Sequence, residues 1–304
     1  MILYKKISII GLGLIGSSIA RGIKEQNLCE NLVGFDSDPE TREPIIKLKL
    51  VDLLESDLIL AVKDADLIIL ATPVGTYTEI AEKIGKHLKT GATLTDTGSI
   101  KEAVFGMLAP HVGNDIQIIP AHPVAGTEQS GPEAGFSSLF HDRWAILTPQ
   151  ENTDPDALTN LTNFWEKLGS RVEVMDAAHH DKILAITSHV PHLIAYNIVG
   201  TARDLEEVTK SEVIKFSAGG FRDFTRIAAS NPTMWRDVFL NNKEAVLEML
   251  GRFNEDLTAL QRAIRWGDGD ALYDMFEKTR RIRKQIIDAG QEEDVANFGR
   301  RHDD

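Results

Sequence analysis

The sequence predicts an α/β protein in which a mostly parallel sheet, covered by helices on both faces, is followed by an all-helical domain. From Lys5 to about Val174, short apolar runs alternate with helical patterns, as is typical of parallel strands connected by covering helices. After about Asp176 the strand signals stop and only helical patterns follow. We therefore assign residues 1–176 to the first domain and residues 177–304 to the second.

Seven short apolar runs are the predicted strands of the first domain. They are Ile7–Ile10, Leu32–Phe35, Leu67–Ala71, Ala92–Asp96, Gln117–Pro120, Ala145–Leu147 and Val172–Val174. The segments between them, such as Ser17–Lys24 and Ile80–Leu88, have helical patterns. A helix after Asp154 has clear ends, because Asp154 suits an N-cap, Pro155 the first turn and Gly169 the exit.

Four helices are predicted in the second domain, at residues 180–202, 205–216, 231–265 and 270–289. Glycine and proline residues separate them, at Gly219-Gly220, Asn231-Pro232 and Gly267-Asp268-Gly269. The segment Pro232–Trp266 is predicted to be one helix, on the order of 50 Å long. Its apolar stripe is longer than the core of a domain of residues 177–304 can cover. We therefore expect it to pack partly against another subunit, the alternative being burial within one chain.

Composition narrows the classes of partner and the location. With 33 Lys and Arg against 46 Asp and Glu, the net charge of −13 repels nucleic acid and anionic lipid, so neither is an expected partner. Apolar runs such as Leu67–Ala71 fall far short of the roughly 18 residues that a membrane span requires. Met1–Ile10 lacks the features of a signal peptide, and the single cysteine, Cys29, forms no internal disulfide. We therefore expect a cytoplasmic protein.

A glycine motif at the end of the first strand predicts a dinucleotide site. Gly11-Leu12-Gly13-Leu14-Ile15-Gly16 follows the run Ile7–Ile10 and opens a helix, and Asp36 ends the next strand about 20 residues further on. The glycines allow a tight turn and a close approach to pyrophosphate, which the helix N-terminus attracts. Asp36 can accept hydrogen bonds from both ribose hydroxyls and would repel a 2′-phosphate, so NAD is favoured over NADP. The alternative is a glycine turn that only packs a helix.

Thr72 and Pro73 end the run Leu67–Ala71 at the carboxyl edge of the predicted sheet. Ligands of such folds bind at this edge, so we expect these two residues to line the nicotinamide side of the cofactor site. A proline that merely ends a strand is the alternative.

His122 and Ser99 follow two other strands and are candidates for chemistry. An imidazole at this edge of a dinucleotide-binding sheet is placed to exchange a proton with an alcohol while hydride goes to the cofactor. Ser99, at a helix start, could hold the imidazole by a hydrogen bond. The alternatives are a structural histidine at position 122 and a helix-capping serine at position 99.

Four motifs in this chain are specific when taken together. They are Asp96-x-Gly98-Ser99-x-Lys101, His122-Pro123-x-Ala125-Gly126-Thr127-Glu128-x-Ser130-Gly131, Ser188-His189-x-Pro191-His192, and Gly219-Gly220-Phe221-Arg222-Asp223-Phe224-Thr225-Arg226-Ile227-Ala228. Their combination closely resembles the prephenate/arogenate dehydrogenase family of tyrosine biosynthesis, and the resemblance extends over nearly the whole chain.

The resemblance implies a Rossmann domain joined to a helical dimerisation domain, and an NAD-dependent oxidative decarboxylation of prephenate or arogenate. In that family the histidine that matches His122 hydrogen-bonds the ring hydroxyl, and the serine that matches Ser99 assists it. The arginine that matches Arg226 binds the ring carboxylate, and the histidine that matches His192 lies near the substrate side chain. Five further positions line or gate the pocket: Thr127, Glu128, Arg222, Asp223 and Trp235.

The residue chemistry supports that reaction. A substrate with a ring hydroxyl and two carboxylates needs a base and local cations, and the planar fork of Arg226 matches a carboxylate. A surface arginine in an ion pair is the alternative for Arg226. We expect no metal site at His179-His180-Asp181, because adjacent side chains on a helix diverge and no further cluster completes a ligand set.

Two other functions remain open from the residues. A 3-hydroxyacid dehydrogenase of similar architecture would place a lysine four residues before an asparagine on the first helix of the second domain, but Leu193 stands four residues before Asn197. A non-catalytic NAD(H)-sensing protein would leave the pairing of His122 with Arg226 unexplained.

Overall fold

The computed structural model describes residues 2–209 and 215–288. The chain divides into two compact units after Leu247. The predicted helix at 205–216 falls partly outside the described residues, and the domain boundary after residue 176 stays a prediction. The predicted fold class is confirmed: a parallel sheet is followed by helices.

Six parallel strands form the main sheet in the order β3-β2-β1-β4-β5-β6. The order reverses between β1 and β4, and ligands of doubly wound sheets bind at this point beyond the carboxyl ends of the strands. The strands are β1 Tyr4–Ile10, β2 Cys29–Phe35, β3 Leu53–Glu55, β4 Leu67–Leu70, β5 Thr93–Asp96, β6 Gln117–Ile118, β7 Ala121–Pro123, β8 Trp144–Leu147 and β9 Arg171–Val174.

The last three strands form a separate sheet, so the prediction of one sheet continuing to Val174 was wrong in this detail. Strand β7 pairs with β8 in antiparallel orientation, and β8 pairs with β9 in parallel. The predicted strand Gln117–Pro120 ends at Ile118, because Pro120 has no amide hydrogen to continue a ladder. The chain then enters the small sheet at Ala121, which places His122 on a strand and not in a loop.

Twelve helices lie within the described residues. They are α1 Leu14–Gln26, α2 Pro39–Lys47, α3 Leu58–Val62, α4 Tyr77–Ile84, α5 Glu102–Leu108, α6 Pro155–Lys167, α7 Ala177–Leu184, α8 Val190–Thr209, α9 Gly219–Thr225, α10 Pro232–Asn241, α11 Lys243–Trp266 and α12 Gly269–Asp288. The predicted ends of α6 are confirmed, since the Asp154 side chain accepts a hydrogen bond from the Asp156 amide and Gly169 has φ +93°. Two apolar clusters form the core.

Helices α7 and α8 are joined by a π-helical turn, Ala185–His189. Pro191 follows this turn and has no amide hydrogen for an intrahelical bond. The ring Nδ1 of His192 bonds to the Ser188 carbonyl at 2.8 Å, so a side chain satisfies a backbone acceptor within the distorted segment. The distortion near Pro191 thus takes the form of a widened helical turn.

The continuous run Ala177–Asp204 is apolar enough, with a mean hydropathy of 1.3 over 18 residues, to cross a membrane by length and composition alone. The expectation that no segment crosses a membrane was based on contiguous apolar runs, and the apolar residues of Ala177–Asp204 are not contiguous. His180 and His189 on this run are fully buried within the protein, so one side of it packs into the fold. Ile198 and Val199 are exposed on the described surface.

The predicted single helix Pro232–Trp266 was wrong, because Asn242 interrupts it with φ −116° and ψ 37°. Asn242 is buried, and its Nδ2 bonds to the Asp181 carbonyl at 3.0 Å and to His189 Nδ1 at 3.1 Å. These contacts with α7 and the π-helical turn compete with a straight helix. The break thus fixes α10 against the helix that carries the buried histidines.

Candidate active site

The glycine motif forms a tight turn between β1 and α1. Gly11 has φ +89°, and a Cβ there would lie 2.7 Å from the Ala71 carbonyl oxygen, while a Cβ on Gly16 would lie 2.0 Å from the Gly11 oxygen. Gly13 has open space around it and precedes α1 without any side-chain cap. The first amide groups of α1, at Leu14 and Ile15, are therefore available to an anion, as a pyrophosphate requires.

Asp36 lies against this turn at the carboxyl end of β2. Its Oδ2 accepts a hydrogen bond from the Leu12 amide at 2.8 Å and its Oδ1 from the Asp38 amide at 3.0 Å. Each carboxylate oxygen keeps a second lone pair that can accept a ribose hydroxyl. The described residues therefore fit NAD, which would rest on the glycine turn with its ribose at Asp36.

Thr72 and Pro73 follow β4 beside the glycine motif, and a Cβ on Gly11 would lie 2.8 Å from Thr72 Cγ2. The Thr72 hydroxyl lies 2.8 Å from the Thr76 hydroxyl, and Pro73 opens a short 3-10 turn. The amide of Gly75 in this turn donates to the Asp237 carboxylate at 3.2 Å. This bond ties the turn to helix α10, on which Asp237 is buried.

His122 belongs to a buried chain of three titratable groups. Its Nδ1 lies 2.9 Å from Nε2 of His180, and Nδ1 of His180 lies 2.7 Å from Oδ1 of Asp181. The exposed fractions are 6% for His122, 0% for His180 and 1% for Asp181. The hydrogen bonds therefore connect strand β7 with helix α7 and leave Nε2 as the other ring nitrogen of His122.

The backbone beside His122 is held by a buried ion pair. The Ala121 amide donates to Oδ1 of Asp96 at 3.1 Å, and Nζ of Lys101 donates to the Ala121 carbonyl at 2.8 Å. Lys101 also contacts Oδ2 of Asp96 at 2.5 Å. The two charged residues of the motif Asp96-x-Gly98-Ser99-x-Lys101 thus fix the position of β7.

Ser99 lies half-buried in the turn before α5. The reading of Ser99 as a helix cap was wrong, because Lys101 is the N-cap residue of α5. The free amides of Lys101 and Glu102 instead donate to the Asp181 carboxylate, at 2.7 and 3.0 Å. The Nδ1 of His122 bonds to His180, and the assisting role of Ser99 at the imidazole stays a prediction.

Burial lowers the pKa of His122 well below its usual value, and the nearby His180, Lys101 and His189 lower it further. Burial also lowers the pKa of His180, against which Asp181 acts in the opposite direction. The free protein therefore holds His122 as a neutral imidazole at physiological pH, which is the state that accepts a proton.

Arg226 meets Glu128 across the site. Arg226 opens the 3-10 turn after α9, and its Nη1 lies 2.7 Å from Oε2 of Glu128 with both side chains partly exposed. The neighbouring Thr127 accepts a hydrogen bond from the Gln129 amide at 3.2 Å. The predicted carboxylate-binding arginine is thus paired with an acid from the loop after β7.

His192 stacks on Trp235, with ring centroids 3.7 Å apart and an angle of 25° between the planes. Trp235 is buried near the start of α10. Burial lowers the pKa of His192, and the charge of Arg226 lowers it further. Arg222 is exposed and Asp223 half-buried at successive positions of α9.

Sequence reasoning missed the roles of His180, Asp181, Asp96 and Lys101. The first two were considered only as metal ligands, and no group of three or more His, Cys, Asp or Glu side chains suited to a metal occurs in residues 2–209 and 215–288. The available sequence signal was the polar pair His180-Asp181 at the start of the predicted helix at 180–202. Its partner on β7 lies 58 positions away, a contact that periodicity does not reveal.

Comparison with known proteins adds the family. The family models described as prephenate dehydrogenase, nucleotide-binding domain, and prephenate dehydrogenase, dimerization domain, match residues 19–174 and 176–278. A cyclohexadienyl dehydrogenase of Zymomonas mobilis is 41% identical over 283 residues, 93% of this chain and 96% of that protein. A prephenate dehydrogenase of Bacillus subtilis is 32% identical over 91% of this chain and 75% of its own length.

Among solved structures, the prephenate dehydrogenase from A. aeolicus in complex with hydroxyphenyl propionate and NAD+ superposes with a TM-score of 0.86. It is 32% identical, and the alignment covers 93% of this chain and 98% of that one.

Proposed function

Because the chain belongs to the prephenate dehydrogenase family, we propose that it converts prephenate, or arogenate, to 4-hydroxyphenylpyruvate, or tyrosine, by NAD-dependent oxidative decarboxylation in tyrosine biosynthesis. The observation that carries the chemistry is the neutral, buried imidazole of His122 on β7, a strand whose Ala121 amide bonds to Asp96 at the carboxyl end of β5 in the dinucleotide-binding sheet. A neutral imidazole is the group that an alcohol needs as its proton acceptor.

His122 acts as a base and then as an acid. Its Nε2 takes the proton of the ring hydroxyl while the oxygen electron pair forms a carbonyl. NAD+, which the glycine turn and Asp36 would hold, would supply the acceptor for the hydride of the carbinol carbon. The bond to the ring carboxylate then breaks, CO2 leaves, and the electron pair passes through the ring to the oxygen. Nε2 returns the proton to the resulting phenolate, so His122 ends in its starting state. The aromatic product drives the step, and the protein mainly orients and exchanges the proton.

Arg226 binds the ring carboxylate in this proposal. Its guanidinium is now paired with Glu128, so the substrate carboxylate replaces a carboxylate that is already there. Because the pair is exposed, breaking it costs little free energy, since exposed ion pairs contribute roughly 0–1 kcal/mol to stability. His192, stacked on Trp235, faces the substrate side chain, and Thr127, Arg222 and Asp223 line the entrance, while Ser99 assists at the hydroxyl.

We also infer a homodimer and a cytoplasmic location. The match to a dimerization domain covers residues 176–278, and helix α8 leaves Ile198 and Val199 uncovered. A second copy of the chain would bury this apolar face. Cys29 is a free thiol, which suits a reducing compartment.

The proposed function is tested by mixing the purified protein with NAD and prephenate, and separately with arogenate, and following the absorbance of NADH. We expect turnover with at least one substrate. His122→Asn should lower kcat by about 100-fold or more, in the range that a positioned base supplies, with KM and NAD binding kept. His179→Asn, which changes the exposed neighbour of His180, is the matched control.

Binding of NAD without any turnover would favour a non-catalytic sensor instead. An active His122→Asn variant would remove His122 as the base.

A further inference from the structure

We propose that His180 and Asp181 are positioning residues that keep the mobile proton of His122 on Nδ1 and its Nε2 free to act as the base. The proposal rests on the function proposed above. It assigns a task to a pair of residues that touches neither the glycine turn nor the Arg226 ion pair.

The direction of the hydrogen bonds follows from the acid at the end of the chain. An ionised carboxylate only accepts, so Nδ1 of His180 must donate to Asp181 across their 2.7 Å contact. A neutral imidazole that donates from Nδ1 accepts at Nε2. His180 therefore accepts from Nδ1 of His122 across the 2.9 Å contact, and the lone pair of His122 is left on Nε2.

Asp181 is held in its accepting role by other donors. The backbone amides of Lys101 and Glu102 both donate to its carboxylate, and the amide of Lys101 shares Oδ1 with the ring of His180. The carboxylate thus accepts hydrogen bonds from two amide donors and one ring donor. Because Asp181 is 1% exposed, water does not compete for these bonds.

The same chain stabilises the charge that forms when the substrate proton arrives. Once Nε2 of His122 has bound that proton, the proton on Nδ1 can move to Nε2 of His180. His122 is then neutral again, and the positive charge lies on His180 beside the Asp181 carboxylate. This transfer needs no external acid or base, because the proton that His180 Nε2 gains is the one that His122 Nδ1 loses. Asp181 thus offsets the burial that opposes a charged imidazole at His122.

Substitutions at position 180 separate orientation from packing. In His180→Gln the amide oxygen can accept from His122 and the amide nitrogen can donate to Asp181, whereas His180→Phe fills the space with no polar atom. We expect His180→Phe to lower kcat about 100-fold, His180→Gln to recover a substantial part of that loss, and KM to stay unchanged in both. His179→Gln is the matched control and should keep wild-type kcat.

A second variant tests whether the negative charge of Asp181 matters. Asp181→Asn removes the carboxylate that raises the pKa of His180, so a protonated imidazole becomes less favourable. We expect kcat to fall and the acid limb of its pH profile to move to lower pH. If Asp181 only capped α5, Asp181→Asn would lower the melting temperature and leave the acid limb of the pH profile unchanged.

The outcomes distinguish the two proposals. Loss of activity in His122→Asn together with full kcat in His180→Phe would overturn the positioning role and leave the base assignment intact. Equal loss in His180→Gln and His180→Phe, with an unmoved acid limb in Asp181→Asn, would likewise reduce the pair to packing. Full activity in His122→Asn would end both. If His180→Phe does not fold, the comparison of Asp181→Asn with wild type still decides.

Discussion

Arg226 is an exposed cation that already has a partner, and this shapes what its removal should do. Its side chain contacts Glu128 at 2.7 Å and is 52% exposed, so a carboxylate from solvent can reach the guanidinium. A group that binds the substrate carboxylate in the ground state contributes to affinity, but it gains nothing in the transition state, because that carboxylate leaves as neutral CO2.

We therefore predict that Arg226→Gln raises KM for prephenate by about tenfold or more, the value of a hydrogen bond to a charged group, with little change in kcat. Initial rates over a range of prephenate concentrations measure both parameters. Arg252→Gln removes a comparable exposed ion pair, with Glu248, and should leave KM unchanged. An unaltered KM in Arg226→Gln would refute the carboxylate role.

For single residues, the sequence was informative where the neighbours along the chain determine the local geometry. The glycine turn and Asp36 were predicted because strand, turn, helix and acid follow one another along the chain, and the Asp36–Leu12 contact agrees. The partner of His122 was not predicted. The family resemblance pointed to Ser99, whereas His180 reaches the imidazole only through the packing of α7 against β7.

The helices show where a local pattern is overridden by tertiary contacts. Helical periodicity runs through Asn242, and only the contacts of its side chain with Asp181 and His189 explain the break. In the same way Pro120 ends one strand and releases β7 into a second sheet. Element types were predictable because they depend on short-range periodicity, while breaks and sheet membership depend on partners far along the chain.

Helix α8 carries a prediction of its own. Because Ile198 and Val199 are more than one-third exposed on an apolar helix, Ile198→Glu should weaken self-association and raise the dimer dissociation constant by about tenfold or more, as for a buried interface position. Sedimentation equilibrium measures this constant. Leu60→Glu replaces an exposed apolar residue of α3 in the same way. It should leave the dimer dissociation constant unchanged.

A wild-type chain that is monomeric would contradict the inferred interface. Binding of that monomer to lipid vesicles would assign the apolar run Ala177–Asp204 to a bilayer instead.

For the molecule as a whole, the buried histidines make stability depend on pH. Burial lowers the pKa values of His122, His180 and His189, that of His189 to about 4. In the unfolded chain a histidine titrates near 6.5. Between these values the unfolded state binds more protons than the folded state, so stability is fully present above about pH 6.5 and is lost as the pH falls toward 4.

We predict that the free energy of unfolding decreases on going from pH 7.5 to pH 5, with about 2 kcal/mol of the decrease due to His189 alone. Urea unfolding at the two pH values measures the difference. His189→Gln, which cannot titrate, should reduce the difference, whereas His179→Gln, on an exposed side chain, should not. The expectation fails if His189→Gln and wild type lose the same free energy.

The bond between the Gly75 amide and the Asp237 carboxylate has a thermodynamic consequence. It joins the segment next to Thr72 and Pro73 to the helix on which Trp235 stacks against His192. In the proposed function NAD and the substrate bind at these two places, so this hydrogen bond connects their sites. By linkage, if the first ligand changes the affinity of the second by some factor, the second changes the affinity of the first by the same factor. The free energy of the ternary complex therefore does not depend on which ligand binds first.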